Sequence, residues 1–503
     1  MYMKALKKIT NNHLLCFILL ALTLSILITF MSNGILGNDF WWHIKVGENI
    51  CNTGNVPQTD IFSWYGTEHN IEWTAHEWLG DVVLYGIHAL GGEVAIFGFC
   101  IFMAALFNVL IWREIKGYIQ TKIAAIFYLL LTLSVTCTMF FYGRPQIFGF
   151  FFVYAELKIL YAFITNPGSK TVFLIPLITV LWSNIYGGSS NLSYILCGIF
   201  LVGSLFEFKT GKIEANKTDK KSRIILLIVT ALTVGAVVLN PIGIHVLTYP
   251  YENLSDSVSM SFISEWKAPD AKLWGNLLLF FVPVALTIMG FIHTEKKIKF
   301  LDLLVNLMFL FLFLRSVRFI MLWFIAAVFT TPEYLLEGPK INVEGKKTRA
   351  VLSAVLIICI FFLCGSLGGV YKTCKTGNQI SVAMSDEAVV AVKECNPKRI
   401  FNDYDLGETL IYNDVPVFFD ARADLYSKCG ILTDGLELMS MQPLNVAKNT
   451  NGINVEQLIE KYDFDYILIK KARPLFVYLN ANPSSYPLVY EDDSVSLFAV
   501  RRE

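Results

Sequence analysis

Gly37-Asn-Asp-Phe-Trp-Trp-His43 and Glu72-Trp-Thr-Ala-His-Glu-Trp78 stand in one stretch, Ser32–Gly92, between two long apolar runs. The run before it is Leu14–Met31 and the run after it is Glu93–Trp112. Each is long enough to cross about 30 Å of hydrocarbon as a helix. A connector between two such helices needs only a few polar residues to turn in water. This one carries acids, imidazoles and five tryptophans. Ionisable groups at the edge of a membrane span are costly to hold there and mark function by default.

The rest of the chain repeats the apolar pattern. Of 503 residues, 55% are hydrophobic and 16% charged, against about 25% charged in soluble domains. Mean hydropathy is +0.53. The reading is a polytopic, mainly α-helical membrane protein of eleven spans. They lie at Leu14–Met31, Glu93–Trp112, Thr121–Tyr142, Gln146–Ile164, Val172–Asn184, Leu192–Phe208, Ile224–Leu239, Trp274–Ile292, Phe300–Leu314, Phe319–Thr331 and Ala350–Val370. The first is too long for a signal peptide and no small-residue cleavage site follows it. With 41 basic and 41 acidic residues, nothing in the charge points to nucleic acid.

Basic residues gather in alternate loops, and loops rich in them stay in the cytoplasm. Lys209–Arg223 alone holds six, and Lys296, Lys297, Lys299, Lys340, Lys346, Lys347 and Arg349 lie in later loops of the same set. The opposite loops hold Lys45, Arg144, Lys267, Lys272, Arg315 and Arg318. The expected topology is a plasma-membrane protein with a cytoplasmic N-terminus and an extracytoplasmic C-terminal domain.

The sparsely basic outer loops hold the unusual residues: Asp39, His43, Glu72, His76, Glu77, Arg144, Asn184, Arg315 and Arg318, with Asp60 and Glu265 less favoured. Each has a bland alternative. The tryptophans suit an interfacial aromatic belt, and Arg315 and Arg318 could reach back to the headgroups. Pro145 after Arg144 fits a plain turn. Chance placement of all of them on one side is harder to accept than any single alternative. A carboxylate beside a hydroxyl can act as general base, and arginine binds phosphate through paired, directional hydrogen bonds. Together they suit transfer of a group away from a phosphate. No nucleotide-type glycine loop is present, so a donor carried on a lipid phosphate fits better than a soluble nucleotide.

This order of elements resembles the GT-C superfamily of membrane glycosyltransferases, which includes protein O-mannosyltransferases and lipid A aminoarabinose transferases. One span is followed by an outer loop that opens on Asp39, then by interfacial helices near Asn38–Asn52 and Thr74–Ala89. Nearer still is a bacterial branch with an Asp-x-Trp-Trp-His opening, matched by Asp39–His43. That branch also has an Asn-Pro-x-Gly turn, matched by Asn240–Gly243, and Asp-x-Arg-x-Asp-Leu-Tyr, matched by Asp420–Tyr426. The resemblance implies catalytic roles for Asp39 and Glu77, with Asp39 the general base or metal-assisting carboxylate. It implies a polyprenyl-phosphate sugar as donor, inversion at the sugar carbon, and Arg315 or Arg318 on the lipid phosphate. His43, Glu72, His76, Arg144 and Asn184 would line the substrates, and the metal would be Mg or Mn. The acceptor could be a glycan, a lipid or a protein. This chain has Asp39-Phe40 where O-mannosyltransferases have a paired Asp-Glu, and Tyr186-Gly187 where His-Gly is expected.

From Tyr371 the apolar runs end, so residues 1–370 read as the membrane domain and 371–503 as an outer α/β domain. Strands are expected at Arg399–Asn402, Pro416–Asp420, Tyr466–Lys470 and Val495–Val500. Helices are expected at Asp386–Cys395, Gly407–Tyr412 and Val455–Tyr462. Asp420, Arg422 and Asp424 are its candidate site residues, although acids in such positions often only cap turns. Ten cysteines show no metal-ligand spacing. Two other functions stay open, a transporter or flippase and an inactive scaffold. A transporter should show repeated halves and ionisable groups near mid-membrane; no repeat is evident, and most span interiors lack charge apart from Glu156 and Lys158 towards the inner end of the fourth.

Overall fold

The structure is a computed structural model. It describes residues 39–118, 143–273, 277–335, 345–375, 384–443 and 454–501, with parts of 14–28 and 127–132. It is mainly helical with a small sheet domain, and it divides into two compact units.

The first unit comprises Met1–Leu36, Ile87–Pro250 and Ile263–Ile380. Among the described residues, three helices are long and apolar enough to cross a membrane: Trp78–Ile115, Gln146–Thr165 and Lys347–Gly369. Shorter apolar helices run over Lys170–Ile185, Gly187–Gly203, Leu279–His293 and Val317–Thr330. The expected spans Leu14–Met31 and Thr121–Tyr142 lie largely outside the described residues. Helix Trp78–Ile115 breaks at Gly91–Gly92, where Gly92 takes a φ of 60° and a ψ of −149°. That conformation is open to glycine and closed to most residues. It separates the two helices that the sequence places at Thr74–Ala89 and Glu93–Trp112.

Water-facing helices do not carry rows of large apolar side chains, but lipid-facing ones do. Ile357, Ile358, Phe361 and Phe362 are all largely exposed on the last long helix. Inside the bundle the contacts are tight. Phe152 stacks on Trp182 at 5.7 Å, and Trp323 Nε1 donates to Asn306 Oδ1 at 3.0 Å. Two lysine-rich loops meet in a three-stranded sheet of Phe208–Thr210, Ile213–Ala215 and Ile298–Lys299.

The second unit comprises Gly37–Gly86, Tyr251–Phe262 and Ser381–Glu503. The stretch around Asp39 thus folds with the C-terminal segment. Its sheet has the strand order Ile400–Asn402, Tyr466–Lys470, Val495–Ala499, Leu488–Glu491, the first pair parallel and the rest antiparallel. Helices occupy Asp386–Cys395, Gly407–Tyr412 and Val455–Tyr462, as the sequence suggests, and also Ile431–Ser440 and Pro474–Ala481.

Pro416–Asp420 does not join the sheet as a strand. Val417 instead bridges Ser63 of the outer loop, and its carbonyl accepts from Trp64 N at 2.9 Å. Trp64 is the reason. Its ring packs on Phe418 and Phe464, and its Nε1 donates to the Ile400 carbonyl at 2.9 Å. Trp41, Trp42, Trp64 and Trp73 are all buried, so these rings form core where the sequence also allowed a membrane belt.

Candidate functional site

Helix Phe40–Thr53 begins at Asp39, which occupies the N-cap position without making a side-chain cap bond. Asp39 is half-buried. One turn later His43 is buried, and one turn beyond it stands Gly47 on the same face. A Cβ at Gly47 would lie 2.2 Å from the Asp81 carbonyl oxygen, so only glycine lets the two helices approach this closely. The approach sets His43 Nδ1 2.6 Å from Asp81 Oδ1, and its Nε2 3.4 Å from Glu77 Oε2. The other Glu77 oxygen lies 3.1 Å from His76 Nε2. Burial works against charge on His76, but Glu77 and Asp424 outweigh it and hold its pKa above the ordinary value.

His43, His76 and Glu77 are therefore brought together, and Asp424 is close enough to act on His76. Asp81 belongs with them and was absent from the sequence expectation. Glu72 is exposed on a hairpin, its backbone bridging Thr59. Asp420 and Arg422 are buried and bonded to one another, with Nε to Oδ1 at 2.8 Å and Nη2 to Oδ2 at 2.7 Å.

Among the described residues, His43, Glu77 and Asp81 can each offer one ligand atom, all within 4.8 Å of one another. One imidazole and two carboxylates suit a transition metal such as Mn²⁺. Mg²⁺ prefers an oxygen set and keeps its waters. The donor set fits a divalent ion.

Glu408 is a further acid, close enough to Asp39 to feel its charge. Its helix, Gly407–Tyr412, packs on Phe40–Thr53 with the Trp41 and Tyr412 rings 4.0 Å apart. Glu408 Oε1 accepts from Ala421 N at 2.6 Å, and its Oε2 is buried with no partner among the described residues. Burial first, then the charges of Asp420 and Asp39, push its pKa well above the carboxylate range. A raised acid adds stability that is complete below its unfolded value and is lost as pH rises through its folded value. Glu408→Gln keeps the neutral form at every pH. It should match wild type near pH 4.5 and melt higher than wild type at pH 8. Thermal unfolding across that range checks it; parallel curves would refute the neutral acid.

The first unit holds a separate cluster. Arg144 Nη1 donates to Glu265 Oε1 at 2.8 Å. Arg318 Nη2 donates to Tyr186 Oη at 2.8 Å and to Gln146 Oε1 at 3.3 Å, and its guanidinium lies 5.6 Å from the Trp266 ring centre. The turn is tied by Ser316 Oγ donating to the Glu265 carbonyl at 2.9 Å and by Val317 N donating to Lys267 O at 2.9 Å. Burial disfavours charge on Glu265, yet Arg144 and then Arg318 hold its pKa below the usual range. The carboxylate stays ionised beside the two guanidiniums. Arg315 ends the preceding helix and is exposed. Asn184 Nδ2 donates to the Val180 and Leu239 carbonyls at 2.7 and 2.8 Å, which ties two helices together.

The chain is similar to the oligosaccharyltransferase of Archaeoglobus fulgidus in its apo form, over 92% of this chain and 70% of that one, with 11% identity and a TM-score of 0.52. The fold is oligosaccharyltransferase-like. A second structure matches over 90% of this chain and 69% of that one, with 9% identity and a TM-score of 0.49. It is the archaeal oligosaccharyltransferase AglB of the same organism, in complex with an inhibitory peptide and a dolichol-phosphate. At that score it adds nothing to the first. No family model and no curated protein sequence matches the chain. The fold agrees with the GT-C resemblance read from the sequence, and it does not fix a branch of that superfamily.

Proposed function

We propose that this chain is a membrane glycosyltransferase that moves a sugar from a polyprenyl-phosphate carrier to an acceptor hydroxyl at the outer membrane face. The observation that carries the reading is the pair of guanidiniums, Arg144 and Arg318, held by Glu265, Tyr186 and Gln146. Paired guanidiniums suit a phosphate, and these are held in place before the anion arrives. Negative charge grows on the phosphate as the sugar leaves, and preorganised donors stabilise that growth more than water does.

Asp39 takes the acceptor proton, and the hydroxyl oxygen attacks the sugar carbon with inversion. Arg144 and Arg318 hold the departing lipid phosphate, while His76 and Glu77 line the acceptor side. His43, Glu77 and Asp81 would hold a divalent ion, which when bound supplies positive charge to the site. The same reading keeps eleven spans, a cytoplasmic N-terminus and an extracytoplasmic domain at 371–503. The acceptor is a glycan, lipid or protein hydroxyl. The second reading, a transporter or flippase, draws on Glu156, which is buried inside the span Gln146–Thr165.

The test is a transfer and binding assay on the protein in lipid nanodiscs, with a panel of radiolabelled polyprenyl-phosphate sugars and a cell-envelope extract as acceptor. A hydrogen bond to a charged group contributes about 1.5–3 kcal/mol. Arg144→Gln and Arg318→Gln should each weaken donor binding roughly 10- to 100-fold. Donor affinity unchanged in both variants would refute the phosphate role. Wild-type protein that consumes no donor in the panel would favour the transporter reading.

A further inference from the structure

Glu156 lies ten residues into the helix Gln146–Thr165. At 1.5 Å per residue that is about 15 Å along the axis, half of the roughly 30 Å hydrocarbon thickness. It is wholly buried. The groups that hydrogen-bond to it come from two neighbouring helices, Thr179 on Leu174–Ile185 and Ser193 on Gly187–Gly203, and the thiol of Cys197 on the second helix lies within electrostatic range; all three are wholly buried.

The hydroxyl protons can be assigned. Ser193 Oγ donates to Glu156 Oε1 at 2.6 Å. Thr179 has one proton and three acceptors in range. These are the Ile175 carbonyl at 2.8 Å, Ser193 Oγ at 2.6 Å and Glu156 Oε1 at 3.4 Å. The two short contacts take it. Oε1 thus receives one firm hydrogen bond, and Oε2 is buried with no partner among the described residues. Lys158, two residues on, is paired with Glu114.

An ionised carboxylate seeks about four hydrogen-bond donors across its two oxygens. Among the described residues it has one firm donor, at a depth where an uncompensated charge costs several kcal/mol. A cation must sit on this group. The 2.6 Å contacts leave no room for a metal ion among the three oxygens, whereas a proton on Oε2 needs none. We propose that Glu156, with Ser193 and Thr179, forms a proton-binding site inside the membrane. Sugar transfer at the outer face does not call for such a site, so it is a capacity beyond that reaction. Polar contacts that merely hold helices together would be met by Ser193 and Thr179 alone, since the 2.6 Å bond between them already joins their helices.

Lipid-soluble carbodiimides read such a group directly. The carboxyl oxygen adds to the carbodiimide carbon, the acid's own proton moves to nitrogen, and the O-acylisourea rearranges to an N-acylurea with every atom kept. An ionised carboxylate in a dry site has no proton to give and does not complete the addition.

The full-length protein in nanodiscs would be treated with dicyclohexylcarbodiimide and its peptides mapped by mass spectrometry. Infrared difference spectra of wild type against Glu156→Gln would be recorded in parallel. Glutamine matches the neutral acid in shape and charge, so that variant keeps its fold and melting temperature. The expected result is one adduct on the Glu156 peptide, lost in Glu156→Gln. A carboxylic-acid carbonyl band should stand in the wild-type-minus-variant difference. Ser193→Ala removes the donor to Oε1 and should shift that band. Absence of that difference band, or an adduct that survives Glu156→Gln, overturns the proposal.

Discussion

Arg422→Met should cost the second unit about 3–5 kcal/mol, the usual penalty for removing one partner of a buried ion cluster. Arg422 and both of its acids, Asp60 and Asp420, are buried. Besides its paired bonds to Asp420, Nη2 lies 2.9 Å from Asp60 Oδ1 and donates to Tyr426 Oη at 2.8 Å. The guanidinium sits between rings, 4.7 Å from the centre of Trp73 and 5.1 Å from that of Phe62. Asp60 in turn anchors its loop by accepting from Phe62 N at 3.1 Å and from the Ser63 hydroxyl. Methionine would fill much of the volume between the rings. It would leave two carboxylates facing each other in a dry interior with no cation. Stretch 57–73 and the segment Asp420–Tyr426 should then open together. Limited proteolysis and tryptophan fluorescence against denaturant measure this, and a variant as resistant as wild type would refute the clamp. Replacing Asp60 and Asp420 by leucine in the same chain should restore most of the loss. Whole clusters exchanged for apolar groups are often neutral, and only the orphaned acids make the single change severe.

What the sequence made legible follows from which signals are local. Apolar runs are local, so helices lie at Gln146–Thr165, Phe300–Arg315 and Lys346–Lys375 close to where spans were read. The acids and imidazoles near Asp39 were visible as oddities of a loop between spans. Asp81 was not. An acid in the first turn of a helix is ordinary, because it suits the helix dipole, and its partner His43 is 38 residues away in sequence. The signal that could have found it is spacing: Asp81 follows Glu77 by four residues, as Gly47 follows His43. Arg315 and Arg318 looked equivalent from their spacing. The helix ends at Arg315 and a tight turn over Val317–Phe319 carries Arg318 to Tyr186 and Gln146. The expected strand Pro416–Asp420 is a short run of strand-forming residues, Val417, Phe418 and Phe419. It pairs with Ser63 because Trp64 needs a pocket, and no local propensity encodes a bridge over that distance. The tryptophans were ambiguous for a similar reason, since a belt and a core use the same residue.

Asp39→Asn should lower sugar transfer by about 10²- to 10⁴-fold, the usual contribution of a positioned general base. Donor affinity should stay within a few-fold of wild type, since Asp39 has no part in holding the phosphate. The substitution is small in shape. Asparagine is as good as aspartate at a helix start, so folding should not change. What changes is basicity: the amide cannot take a proton from the acceptor. Glu408 is wholly buried, and burial first, then Asp420 and Asp39, push its pKa well above the carboxylate range. A neutral neighbour sets no negative charge against the base. Glu408→Gln should therefore retain transfer, because glutamine reproduces the neutral acid, whereas Asp39→Asn should not. Initial rates at saturating donor, with circular dichroism as the folding control, separate the two. Full activity in Asp39→Asn would remove it as the base. Equal losses in Asp39→Asn and Glu408→Gln would mean that the two acids act as a unit sharing one proton.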